Sequence, residues 1–346
     1  MSKKLLVIES PAKARTIQKY LGKGFQIKAS VGHVKDLPVS KLGVDIEKGF
    51  TPEYVTIKGK GQILKELKAA AKGAESVYLG PDPDREGEAI AWHVANELQR
   101  TDKDLKIYRV LFNELTARAI REAMASPQAL DRDKYEAQQA RRILDRLVGY
   151  QISPLLWSRV KRGLSAGRVQ SVTVKMICDR EREIRAFETE EYWSLTAHLE
   201  ANTPPPFEAR FLKYKGKKKA LKNEAETQEI VSHLQGASFT VSKVVKKQAK
   251  KNPQPPFTTS LLQQEAFKRL RFSAKKTMSV AQTLYEGVDL GPRGVVGLIT
   301  YMRTDSFRLS NDAISEARTY IADTFGSRYL PGRARRFKSR DRKSVV

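Results

Sequence analysis

The densest chemistry in the chain lies in Asp82-Pro83-Asp84-Arg85-Glu86-Gly87-Glu88, where an acid stands at every second position. In extended backbone, residues two apart project to one side and lie roughly 6 to 7 Å from each other. Asp82 and Asp84 can therefore converge on one hard cation, with Glu86 nearby. Carboxylates held that close raise each other's pKa, and a bound Mg²⁺ reverses the effect. An acidic turn that caps a helix is the plainer reading, and this segment alone leaves both open. Glu9 ends the apolar run from Lys4 to Glu9 (KLLVIE), a position matching that of Asp82 behind its own apolar run. In a parallel sheet both acids would stand at the edge where ligands gather. Lys13, one helical turn past Glu9, would bring an ammonium to the same cluster, and a solvated lysine is the alternative.

These side chains need a scaffold, and the surrounding pattern supplies one. Ser10-Pro11 offers an N-cap and a first-turn proline for a helix through AKARTIQKYL. The strand-then-helix pattern returns at Ser76 to Leu79, ahead of AIAWHVANELQ, and again at Lys106 to Leu111, ahead of TARAIREAMA. Strands alternating with helices predict an α/β domain with a mostly parallel sheet over residues 1–130. Residues 131–190 carry apolar residues at helical spacing among many arginines and read as a basic helical domain. Alternation in YWSLTAHLEA, PFEARFLKYKG and SFTVSKVVKK predicts a small β domain over residues 191–251. Asn252 to Pro256 is a stiff linker. Residues 252–346 form a further helical or α+β region, with caps expected at Thr259 or Ser260, Ser273 and Ser310.

With 346 residues, 40% of them apolar and 30% charged, the chain has the composition of a multidomain globular protein. Lys and Arg total 64 against 39 Asp and Glu, a net charge of +25. An excess of that size points to a polyanionic partner, nucleic acid ahead of an acidic membrane surface. Cys178 is the only cysteine, so the chain holds no internal disulfide and no cysteine-based zinc finger; a buried structural thiol is expected there. Nowhere do eighteen apolar residues run together, the N-terminus lacks the apolar core of a signal peptide, and a cytoplasmic, nucleoid-associated protein is expected. The stretch beginning at Gly59 (GKGQ) is too short for a P-loop, so ATP is not an expected ligand. No pair of the four histidines has zinc-ligand spacing.

Five segments together resemble one family. VIESPAKARTI (7–17), VGHVKDLP (31–38), GPDPDREGEAIAWH (80–93), SAGRVQSV (165–172) with the arginine-rich helix before it, and GLITYMRTDS (297–306) look like the bacterial topoisomerase I branch of the type IA DNA topoisomerases. The order is the family's, across nearly the whole chain. The first domain is then a Toprim domain and residues 191–251 the first half of a β arch. The resemblance implies that Tyr301, one of twelve tyrosines, is the nucleophile. A phenol has a pKa of about 10, so only about 0.1% is phenolate at neutral pH and a neighbouring cation must stabilise the developing charge. Arg303, two residues on, could face the same phosphate.

On that resemblance, Tyr301 attacks a phosphodiester of single-stranded DNA, forms a 5′-phosphotyrosyl link and releases a 3′-hydroxyl. Glu9 and Lys13 are the two candidates for protonating it. Mg²⁺ on Asp82 and Asp84, with Glu86 or Glu9, would organise the phosphate and drive rejoining without ATP. Arg141, Arg142, Asp145, Tyr150 and Trp157, with the small-residue loop Ser165, Ala166, Gly167, Arg168, Val169 and Gln170, would line the single-strand groove, and His33 matches a DNA-contacting position of the family. A solvated basic helix face with Trp157 in the core is the alternative. The protein is expected to act as a monomer on negatively supercoiled DNA.

The family continues beyond this sequence, and the last six residues, Asp341 to Val346 (DRKSVV), depart from it and read as an artificial end. Poor relaxation activity is expected of this chain. Three competing functions remain. A Toprim primase or nuclease would share the acidic cluster but would not need GLITYMRTDS. A topoisomerase III usually has proline where Met302 stands. A basic DNA-binding module would bind without regard to Asp82, Asp84 or Glu86.

Overall fold

A computed structural model describes residues 4–337, so the expectation for Asp341 to Val346 lies outside the described residues. Contacts divide the chain into two units. The first joins residues up to Arg168 with those from Pro253 onward; the second runs from Val169 to Asn252.

The first unit is built on a four-stranded, all-parallel sheet. Its strands are β1 (Lys4–Ile8), β2 (Phe25–Ala29), Val77–Leu79 and Ile107–Arg109, in the spatial order β2, β1, Val77–Leu79, Ile107–Arg109. Leu5 is in register with Gln26 on one side and Val77 on the other. Period-two alternation sends Leu5 and Val7 into one core with Leu67, Ile90 and Val94, and Leu6 and Ile8 into another with Ile17, Ile120 and Tyr285. A sheet covered on both faces explains why β1 is apolar and buried from Leu5 to Ile8.

Helices α1 (Pro11–Leu21), α3 (Arg85–Gln99) and α4 (Ala117–Ala125) follow their strands as the pattern predicts, and α2 (Gly61–Ala71), which the pattern does not single out, precedes Val77–Leu79. Ser10 caps α1 through the Lys13 amide at 3.2 Å. The long α5 (Arg132–Arg159) packs on α3. Beyond the Asn252 to Pro256 linker, which has no regular structure, come Thr259–Leu270, Ala274–Glu286 and Asn311–Phe325. Ser273 caps its helix as expected. Thr258 rather than Thr259 or Ser260 is the N-cap of the helix before it, and the Thr259 hydroxyl instead donates to the Met302 carbonyl at 2.6 Å.

The second unit contains helix Gln170–Arg185, an antiparallel pair of strands Thr196–Leu199 and Phe207–Arg210, a short hairpin of Lys213–Tyr214 with Lys217–Lys218, and helix Glu224–Leu234. The strand expected in SFTVSKVVKK is not formed: residues 238–247 are exposed, have no regular secondary structure and pair with no strand among the described residues. Alternation describes a strand's faces but does not provide the neighbour that satisfies its backbone. Cys178 is exposed, not buried, because it lies on a helix whose apolar residues Val174, Met176 and Ile177 are themselves exposed. Among the described residues no helix is long and apolar enough to cross a membrane.

Candidate functional site

The acidic segment begins where strand Val77–Leu79 ends and runs into α3. Asp84 is the N-cap of that helix and accepts from the Gly87 amide at 2.8 Å, so the capping reading is realised. Gly87 is required here by contact rather than by conformation. A Cβ at this position would stand 2.0 Å from the Asp82 carbonyl oxygen.

Asp82 and Glu9 meet at the sheet's carboxyl edge. The Asp82 amide donates to Glu9 Oε2 at 3.4 Å, and Lys13 Nζ, completely buried, lies 2.7 Å from Asp82 Oδ1. Burial, reinforced by a hydrogen bond with Asp82, pushes the Glu9 carboxyl up to about 8. Burial acts on Asp82 in the same direction, but the hydrogen bond with Glu9 and the charge of Lys13 outweigh it and hold that carboxyl below its ordinary value. Two acids and Lys13 thus share a site in which Glu9 holds its proton more tightly than Asp82.

Tyr301 closes the other side. Its hydroxyl donates to Asp84 Oδ2 at 2.5 Å, its amide donates to the Asn113 carbonyl at 2.8 Å, and its ring meets the edge of Tyr285 at 5.3 Å. Tyr301 is only 6% exposed. Burial, followed by the hydrogen bond to Asp84, raises the phenol well above its ordinary pKa, while Arg303 acts in the opposite sense. Arg303 is exposed and lines, with Tyr301, Thr304 and Arg308, a recess of about 240 Å³.

The expectation that Asp82 and Asp84 converge on a cation is not met in this conformation. Asp84 is turned to Gly87 and Tyr301, Asp82 to Lys13 and Glu9, and Glu86 to Gln138 at 3.0 Å and His33 at 3.4 Å. Among the described residues no three acidic, histidine or cysteine side chains gather as ligands. The donors are nonetheless carboxylate oxygens, which suit a hard divalent ion. Burial is the first cause that raises Glu9 to about 8, with the hydrogen bond and charge of Asp82 adding to it, and a divalent ion at these oxygens would favour the ionised carboxylate.

The expected groove residues fall on α5 and the loop after it. Arg142 makes a bidentate pair with Asp36, at 2.9 and 2.6 Å. Arg141 and Asp145 line a cavity of about 420 Å³ together with His33, Glu86 and His93. Asp145 accepts from Arg168 at 2.9 Å, and the buried Ala166 amide donates to the Ser153 hydroxyl at 3.0 Å, which ties the Ser165, Ala166, Gly167, Arg168 loop to α5. Tyr150 donates its hydroxyl to the Val39 carbonyl at 2.5 Å. Trp157 is 47% exposed and not in the core, with its indole N–H bonded to the Leu164 carbonyl at 2.5 Å. Val169 and Gln170 open the first helix of the other unit.

Sequence reasoning missed the residue that holds the acidic segment in place. Arg109 is buried and spends its donors on the Glu88 carboxylate at 2.9 Å and on the carbonyls of Leu79, Pro81, Val110 and Asp82 at 2.7 to 3.1 Å. A lone arginine inside the apolar run KIYRVLF is the signal that could have found it. Arg146, also missed, is buried over the Tyr150 ring and donates to the Pro38 carbonyl at 2.8 Å.

Residues 4–115 match the family model of the Toprim domain, and residues 129–346 match the family model described as DNA topoisomerase. Among solved structures, full-length topoisomerase I from Thermotoga maritima is similar, with a TM-score of 0.77 and 44% identity over 93% of this chain and 53% of that one. The chain spans about half the length of that relative.

Proposed function

The chain belongs to the bacterial type IA DNA topoisomerase family, and from that premise we propose that it cleaves and rejoins single-stranded segments of negatively supercoiled DNA through Tyr301. The observation that carries this reading is the hydrogen bond from the Tyr301 hydroxyl to Asp84, which joins the Toprim acids to a residue 217 positions away. In the proposed reaction the Tyr301 oxygen bonds to a backbone phosphorus, the P–O3′ bond breaks, and the phenol proton passes to the Asp84 carboxylate that already accepts it. The leaving 3′-oxygen takes its proton from the pair beside Asp82, Glu9 and Lys13. Arg303 and Arg308, which line the recess beside Tyr301, would hold the non-bridging oxygens.

Mg²⁺ is the proposed cofactor. Asp82 and Asp84, with Glu86 or Glu9, would hold it, and when bound it neutralises phosphate charge. The strand would lie along α5, over His33, Arg141, Arg142, Asp145, Tyr150 and Trp157, with the Ser165 to Gln170 loop beside it. One phosphoester is exchanged for another, so no ATP is consumed. Cytoplasmic location beside the nucleoid and action as a monomer belong to the same proposal. Trapping of a covalent Tyr301–DNA adduct tests it.

A further inference from the structure

We propose that the lysine hairpin of the second unit is a separate DNA-backbone contact, a reading that rests on DNA being the partner. Residues 213–222 (KYKGKKKALK) hold lysines at 213, 215, 217, 218, 219 and 222 and no acid. The hairpin register sets Lys213 directly opposite Lys218, and Tyr214 opposite Lys217. Like charges facing each other across an antiparallel pair destabilise it. The fold supplies no countercharge either: among the described residues none of these six lysines forms an ion pair.

Something other than ammonium repulsion therefore positions this element, and the structure shows what does. Tyr214 is half-buried, stacks on His233 of helix Glu224–Leu234 with ring planes 7° apart, and brings its hydroxyl to 3.3 Å from His233 Nδ1. The Lys215 and Lys219 ammoniums lie 5.2 and 5.5 Å from the Tyr214 ring centroid, which draws them onto one small element. The result is an anchored hairpin presenting a compact block of unpaired positive charge.

A ligand of complementary chemistry is a chain of closely spaced anions, and a nucleic acid backbone is one, recognised without regard to base sequence. A lipid surface fits less well, because residues 213–219 contain no apolar side chain apart from Tyr214, and interfacial elements combine basic residues with an inserted apolar face.

The test uses the full chain and fluorescently labelled oligonucleotides, one single-stranded and one duplex, titrated from 50 to 200 mM salt (the working range over which phosphate contacts report). Removing three contacts by Lys215→Gln, Lys217→Gln and Lys218→Gln together is expected to lower the slope of log K against log salt by about 2 to 3, at about 0.7 per contact for single strands and about 0.9 for duplex. Affinity at 0.1 M salt is expected to fall about tenfold or more on the form that uses the hairpin. Covalent adduct yield at saturating oligonucleotide should not change. A second variant, Lys218→Glu, places an acid opposite Lys213, so its melting temperature should hold or rise while DNA affinity falls, which separates lost contact from lost folding. Unchanged slopes in both variants would overturn the proposal, leaving lysines that only guard the edges of a short hairpin. Preferential binding to phosphatidylserine-containing vesicles would overturn it too. Adduct formation by the unaltered chain, together with hairpin variants whose DNA affinity and salt slope match it, would sink this proposal alone, whereas an unaltered chain that binds no DNA would sink the functional reading with it.

Discussion

Tyr301 and Asp84 are joined by a 2.5 Å hydrogen bond in which the phenol donates and the helix-capping carboxylate accepts. The same carboxylate holds the Gly87 amide, so the Tyr301 hydroxyl is tied to the first turn of α3. Its proton already points at an acceptor, and the raised phenol pKa keeps Tyr301 unionised. Asp84→Asn removes the charged acceptor while preserving the cap oxygen. Adduct formation should drop at least tenfold, with stability changed by less than about 1 kcal/mol, as comparison of cleavage rates and thermal melts would show.

Gly87→Ala should destabilise the protein although alanine ordinarily favours a helix. The added Cβ would meet the Asp82 carbonyl oxygen at 2.0 Å, and backbone must shift to admit it. A loss of about 2 to 4 kcal/mol in urea unfolding, together with lost cleavage, is expected. A neutral or stabilising effect would show that the acidic segment tolerates displacement.

Arg109→Lys should fail although it keeps the positive charge. Lysine has three donors on one nitrogen and cannot serve the Glu88 carboxylate and four carbonyls at once. Leaving Glu88, which is 1% exposed, without its partner costs about 3 to 5 kcal/mol. Denaturant midpoints for Arg109→Lys and Arg109→Ala should both fall steeply.

Arg141 and Arg142 should separate under alanine substitution. Arg142 is committed to Asp36 in a bidentate pair, whereas the Arg141 guanidinium lies 3.9 Å from Asp145. Arg141→Ala is expected to weaken single-strand binding and reduce its salt slope by about 0.7, with little change in melting temperature. Arg142→Ala should lower both.

Stability should also depend on pH through Glu97. Burial acts to raise this carboxyl, but hydrogen bonds from Lys35 and Lys68, at 2.5 and 2.8 Å, outweigh it and hold the group at about 2. A carboxyl lower in the folded than in the unfolded chain contributes stability above the unfolded value that is lost as pH falls through the folded one. The protein should therefore lose about 2 to 3 kcal/mol from this group between pH 4.5 and about 2, and Glu97→Gln should flatten that part of the profile in acid-titrated unfolding.

The scaffold was largely legible and the details of the site were not. β1 declares itself because a strand covered on both faces carries an unbroken apolar run, Leu5 to Ile8, and Ser10-Pro11 declares the helix after it. β2 escaped notice because Gln26 and Lys28 interrupt a half-buried edge strand. The stretch 238–247 shows the converse, an alternating pattern with no strand to pair. Spacing placed Asp82 and Asp84 at a sheet edge but could not foresee that helix capping turns one away while Lys13 captures the other. Tyr301 stood out only through its resemblance to a family, since nothing local distinguishes it from eleven other tyrosines. The hydrogen bond to Asp84 is a property of the folded chain alone.

The most direct measurement of the central claim follows a single-stranded oligonucleotide labelled at its 3′ end, incubated with the chain and Mg²⁺ and then quenched in denaturant. A 5′-phosphotyrosyl link leaves the labelled piece on the protein, so the label should migrate with the protein for the unaltered chain and run free for Tyr301→Phe, which keeps the ring against Tyr285 and loses only the hydroxyl. Label that stays with the protein in Tyr301→Phe, or DNA bound by the unaltered chain with no adduct under any quench, would contradict the assignment of Tyr301 as the nucleophile.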